Sequence, residues 1–146
     1  MAAFNKFNLF VDALALKKVN LNTDSLKIML TNTAPVSTNA VYTDVSGAEL
    51  ANGAGYLTGG TAIGSSSATN TTGTEKLLGN AVVFTASGSM GPFRYAIIYS
   101  NTATNKDLIG WFDYGSSITL AANETFTVNS AANGNWDATN PILTIA

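Results

Sequence analysis

The chain contains no histidine and no cysteine among its 146 residues. Without histidine it lacks the commonest general base and the commonest metal ligand. Without cysteine it has no disulfide framework, no thiolate nucleophile and no sulfur-based zinc site. Charge is scarce as well: Asp, Glu, Lys and Arg make up 11% of the residues, against about 25% in ordinary soluble domains. Seven basic residues stand against nine acidic ones, for a net charge of −2. One arginine and six scattered lysines do not neutralise a run of phosphates, so no nucleic-acid partner is expected. No apolar run approaches the roughly 18 residues of a transmembrane helix, so no membrane partner is expected either. The opening stretch does not read as a secretory signal, because Asp12 breaks its apolar part and lysines stand where a small-residue cleavage site belongs.

What remains is a chain rich in Thr, Asn, Ser, Gly and Ala, of a length that fits one domain, 1–146. One helix is predicted over about residues 3–18: Phe4, Phe7, Val11 and Leu14 recur at spacings of three and four, with Phe10 beside them. Lys17 and Lys18 then fall in the last turn, where they suit the helix dipole. Two readings of this helix stand open, an amphipathic lid over a sheet or an arm that docks on a partner.

Everything after Asn20 reads as strands and turns. LKIMLT at 26–31 alternates, and Pro35 closes the region that follows it. VYTDV at 41–45 is a short strand candidate, and NGAGYLTGG at 52–60 a Gly-rich turn. The segment 59–74 holds one large apolar residue, Ile63; it reads as a flexible loop or a polar edge strand, the loop being favoured. Strong strands follow at 76–86, 92–100 and 107–115, then at 117–120, 124–129 and 142–145. Phe93, Tyr95, Ile97 and Tyr99 are expected on one strand face, with Arg94, Ala96 and Ile98 on the other. About eight strands with short connections call for a mainly β fold, an antiparallel β-sandwich or jelly roll with one N-terminal α-helix.

Signals for catalysis are weak. Gly53-Ala-Gly55 lacks the third glycine and the helix of a dinucleotide fingerprint. Ser65-Ser66-Ser67 lacks the frame of a nucleophile elbow. Asp107, Asp113, Glu124 and Asp137 form a carboxylate site only if the fold gathers them. Asn133, Asn135 and Asp137 have calcium-loop spacing but too little charge and no closing glutamate. The expectation is therefore no enzyme, no cofactor and no metal. Aromatic residues carry more weight. Trp111, beside Gly110, belongs to the core or to an interface or sugar-stacking platform. Trp136, in an Asn/Gly loop, is either an exposed anchor or a plug at the end of the sandwich. With Phe4, Phe7 and Phe10 these make up the candidate interface residues.

Several stretches together resemble a family of small virion structural proteins of tailed bacteriophages. They are Phe4-Asn-Lys-Phe7, LKIMLTNTAP (26–35), GYLTGG (55–60), RYAIIYSNTATNKDLIGWFDYG (94–115) and NETFTVN (123–129). They span most of the chain, and the 94–115 stretch is the most specific. Asp107 departs from the proline usual in the family, and Asn135-Trp136-Asp137 sits in the final loop. The resemblance implies a head decoration or cement protein, made in the bacterial cytoplasm and residing on the capsid surface of the virion. Its partners are then the major capsid protein and further copies of itself in a homo-oligomer. The alternative is a receptor- or carbohydrate-binding β-sandwich module on a tail or fibre. Neutral hydrogen-bonding surfaces and the absence of disulfides suit the first reading.

Overall fold

The computed structural model describes residues 2–128, 136 and 139–146. The chain runs through β1 (Ala3–Lys6), α1 (Phe10–Ala15), β2 (Leu26–Thr31), β3 (Thr61–Ala62), β4 (Ser67–Thr71), β5 (Thr74–Leu78), β6 (Val82–Thr85), β7 (Met90–Ser100), β8 (Leu108–Leu120), β9 (Thr125–Val128) and β10 (Leu143–Ile145). Two 3-10 turns, Tyr42–Asp44 and Ser46–Ala48, lie between β2 and β3. All strand pairings are antiparallel, in a five-stranded sheet ordered β1-β8-β7-β2-β3, a three-stranded sheet β10-β5-β4 and a two-stranded sheet β6-β9. The mainly β, sandwich-like class expected from the sequence is what forms.

Side chains alternate along a strand, so each face of the large sheet collects its own set. Leu26, Ile28, Leu30, Ala96, Ile98 and Phe112 point to one side and meet Leu77, Val82, Phe84, Val128 and Leu143 of the smaller sheets in the main core. Met29, Ile97, Tyr99 and Leu108 point to the other side and are covered by Phe7, Val45 and the edges of Tyr42 and Trp111. Both faces of the central strands are therefore buried, which explains why the second half of β7 reads as a near-continuous apolar run and why β2 buries Met29 as well as the alternating Leu26, Ile28 and Leu30.

Five expectations need correction. The helix expected over 3–18 is a strand followed by a six-residue helix. β1 pairs along β8 from Ala3↔Asp113 to Lys6↔Gly110, and that ladder outweighs the helical spacing of the phenylalanines. Gly110 makes the approach possible, because a Cβ there would come within 2.3 Å of the Phe4 ring. Lys17 and Lys18 lie beyond the helix. Lys17 takes a left-handed conformation (φ 58°), with the Lys18 amide bonded to the Ala13 carbonyl and the Lys17 amide to that of Leu14, a Schellman cap.

VYTDV is a 3-10 turn rather than a strand, because the Asp44 carboxylate accepts from the amides of Ala40 and Val41 and curls the chain. For 59–74 the favoured loop gives way to the other reading, a polar edge strand: the segment contains β3 and β4, each at the edge of its sheet. Thr72 and Gly73, at φ 50° and 84°, make a two-residue turn into β5. The 76–86 run splits into β5 and β6, which belong to different sheets. Finally, Phe93 joins the face of Ala96 and Ile98. A register shift between Phe93 and Tyr95 moves the β8 partner from Ile118 to Asp113 and turns the Phe93 side chain over.

Candidate interaction surface

The five aromatic candidates are placed mostly inside. Phe7 is buried against Trp111, with ring centroids 4.6 Å apart. Phe10 enters the main core from the first residue of α1. Phe4 is half-buried over Gly110 and Phe112, 5.4 Å from the latter ring. Trp136 is fully buried beside Phe112, and its indole N–H donates to the Asn80 carbonyl at 3.0 Å. Of the two readings of Trp136, the plug is the one the fold adopts. Phe7, Phe10 and Trp136 are thus corrected from candidate surface anchors to core residues, and only the edges of Phe4 and Trp111 remain accessible.

The carboxylates do not gather. Asp113 is held bidentately by Arg94 at 2.7 and 2.9 Å, and that guanidinium keeps its carboxyl below the usual range. Glu124 accepts from the Ala121 amide at 2.7 Å. Asp107 lies with Asp24 at a shallow pocket of about 460 Å³ that also contains Lys17 and Lys18. Asp137, with the rest of the calcium-like spacing at 133–137, lies outside the described residues. Among the described residues no group of three or more acidic side chains converges as a metal site would require.

The main polar cluster centres on Glu49, which the sequence did not single out. The two 3-10 turns carry Glu49 back beside the end of β2, where it bridges to Thr31. Its Oε1 accepts from the Tyr56 hydroxyl and the Gly59 amide, each at 2.6 Å, and its Oε2 accepts from the Tyr42 hydroxyl. Tyr56 in turn accepts from the Leu30 amide at 3.1 Å, and the Tyr99 hydroxyl donates to the Gly59 carbonyl at 2.7 Å. Burial first, and the Glu49 charge second, push Tyr99 up to about 12. Burial and the Glu49 hydrogen bond drive Tyr42 and Tyr56 higher still. These hydroxyls therefore stay protonated and donate. A carboxylate so saturated is a pin that ties the 42–60 segment to the sheet, and its oxygens are occupied rather than offered to a substrate. Gly60 completes the pin: at φ 70°, a Cβ would come within 1.8 Å of the Ile28 carbonyl oxygen.

The accessible features are of another kind. An open groove of about 720 Å³ runs between the α1–β2 connection and the small sheet, floored by Leu14, Val19, Leu21 and Ile145 with Lys17 and Glu75 at its lining. Beside Leu14, the α1 segment exposes Leu9 (50%), Val11 (47%) and Leu16 (59%). Among the described residues no helix is long and apolar enough to cross a membrane. Comparison of the chain with protein-family models, with curated proteins and with solved structures found no match.

Proposed function

We propose that this chain is a bacteriophage head decoration protein, a cement that binds the outside of the capsid and bridges its capsomers without catalysis. The observation that carries the proposal is where the stretches resembling phage virion proteins fall. Residues 4–7 straddle β1 and its exit, 26–35 make β2 and the turn after it, and 94–115 make most of the β7–β8 hairpin. These are neighbours in the five-stranded sheet. Residues 55–60 supply Tyr56 and Gly59 of the Glu49 pin. The resemblance therefore follows the framework of the fold rather than scattered surface loops.

The interior supports the same reading. The rings are packed against each other, and Glu49 is satisfied within the chain. What faces outward is mainly neutral hydrogen-bonding surface, which associates broadly without burying unpaired charge. The stacking platform that a sugar-binding alternative requires would rest on Trp111, whose ring packs against Phe7 and keeps only an edge accessible.

The test is location and copy number in purified particles, by quantitative mass spectrometry of separated heads and tails. Hundreds of copies on the head are expected. A few copies confined to the tail overturn the proposal in favour of a tail-associated binding module.

A further inference from the structure

A sheet edge presents unpaired amides and carbonyls, and folds protect it with lysine, proline, a bulge, brevity or a cover. Among the described residues every sheet edge but one is protected in such a way. β1 carries Lys6, and β3 and β10 are two and three residues long. The Asn22 side chain accepts from the Ala68 amide of β4 at 3.3 Å. The turn at 53–56 covers the end of β6: the Ser87 amide donates to the Ala54 carbonyl, and a Cβ on Gly55 would come within 2.2 Å of the Thr85 carbonyl oxygen. β9, Thr125–Val128, has no charge, no proline and no register shift.

The register with β6 decides which groups of β9 face out. The Ala86 amide donates to the Glu124 carbonyl at 2.9 Å. Antiparallel pairs alternate between bonded and non-bonded, so Phe84↔Phe126 and Val82↔Val128 exchange the ladder bonds. The amides and carbonyls of Thr125 and Thr127 then point away from β6, and among the described residues no other backbone group takes them. Phe126 lies on the inner face, half-buried against Phe93 and Tyr114 at centroid distances of 4.9 and 4.8 Å.

We infer that β9 pairs antiparallel with β9 of a second copy about a twofold axis through Phe126, joining two β6–β9 ribbons into one four-stranded sheet. The register makes this strand complementary to itself. Thr125 of each copy falls opposite Thr127 of the other, so all four outward groups of each strand find partners. The two Phe126 side chains meet in a non-bonded pair, the closer kind, and each ring gains an aromatic neighbour over its open side. No like charges meet, because Glu124 falls opposite Val128. The pairing does not rest on the function proposed above.

Sedimentation velocity of the full chain tests it, for the unaltered protein, Thr125→Lys/Thr127→Lys, Thr127→Pro and Thr69→Lys/Thr71→Lys. The unaltered chain is expected to be a dimer. Thr125→Lys/Thr127→Lys sets lysine directly opposite lysine across the axis and is expected to weaken the dimer about tenfold or more, with the circular dichroism of the folded chain retained. If that variant does not fold, Thr127→Pro gives the reading: it removes an outward amide that β6 does not use, so the ribbon stays and the dimer weakens. Thr69→Lys/Thr71→Lys adds the same charge at exposed positions of β4 and is expected to leave the dimer intact. A monomer at every concentration overturns the inference, as does a dimer that the folded β9 variants leave intact or that the β4 variant dissolves equally. A trimer overturns it too, because a twofold contact closes at two copies. None of these results bears on whether the chain resides on heads or tails, so this pairing and the cement function fail separately.

Discussion

Trp136 shows how a single residue changes meaning once its neighbours are known. In the sequence it stands among Asn, Gly and Asp, the company of an exposed loop residue. In the fold its ring closes the main core against Phe112 and its N–H satisfies the Asn80 carbonyl. Removing the ring leaves a cavity and an unpaired carbonyl, so Trp136→Ala should destabilise the chain by about 3–5 kcal/mol. Thermal denaturation should show a fall of about 10 °C or more. A melting temperature within a degree or two of the unaltered chain would mean the ring is not part of the core. Under the proposed cement function, shell binding per folded molecule is expected to be normal, since nothing of this side chain reaches the surface.

At the scale of elements, α1 separates what the sequence made legible from what it hid. The strand at 26–31 is legible from its alternation, and those at 92–100 and 107–115 from the apolar residues that burial leaves in them. The helical spacing at 3–18 misleads because strand β1 is specified by a distant glycine, Gly110, and by the free edge of β8. Neither lies within reach of a local period. The Glu49 pin was hidden for the same reason: its donors come from four separate places, Tyr42, Tyr56, Gly59 and, one step removed, Tyr99. Phe7 and Phe10 turn inward, whereas Leu9, Val11 and Leu16 stay about half exposed. The end of α1 also carries a testable cost. Lys17 holds a left-handed conformation that glycine adopts without a Cβ penalty. Lys17→Gly should therefore raise stability by about 0.5–1 kcal/mol, a gain of about 2–4 °C in melting temperature. A fall instead would show that the lysine side chain contributes more than its backbone costs.

For the whole molecule, the missing histidine and cysteine shape the response to pH. No side chain with an ordinary pKa titrates between about pH 6 and 9 here, so stability should be flat across that range. On the alkaline side the tyrosines of the Glu49 pin titrate near 10 when unfolded but are held neutral in the fold, Tyr99 up to about 12. The folded state then holds protons more tightly than the unfolded one. Its stabilisation is full below about pH 10 and is lost as pH rises through the folded values. Asp44 and Asp113 are shifted the other way, by the Ala40 and Val41 amides and by Arg94, so their contribution is present above about pH 4 and is lost in stronger acid. Denaturant titrations across pH should trace this plateau with two falling limbs, and Tyr56→Phe should flatten the alkaline one. A steep slope between pH 6 and 9 would contradict it.

The β4–β5 hairpin has a consequence of a practical kind. Its tip at 69–73 is exposed, and its turn is only Thr72 and Gly73. Lengthening a loop costs slowly, about 0.6 kcal/mol for each doubling. A foreign peptide inserted between Thr72 and Gly73 should therefore leave the melting temperature within a few degrees of the parent. Under the proposed cement function, that turn becomes a graft point for presenting epitopes or enzymes in a dense array.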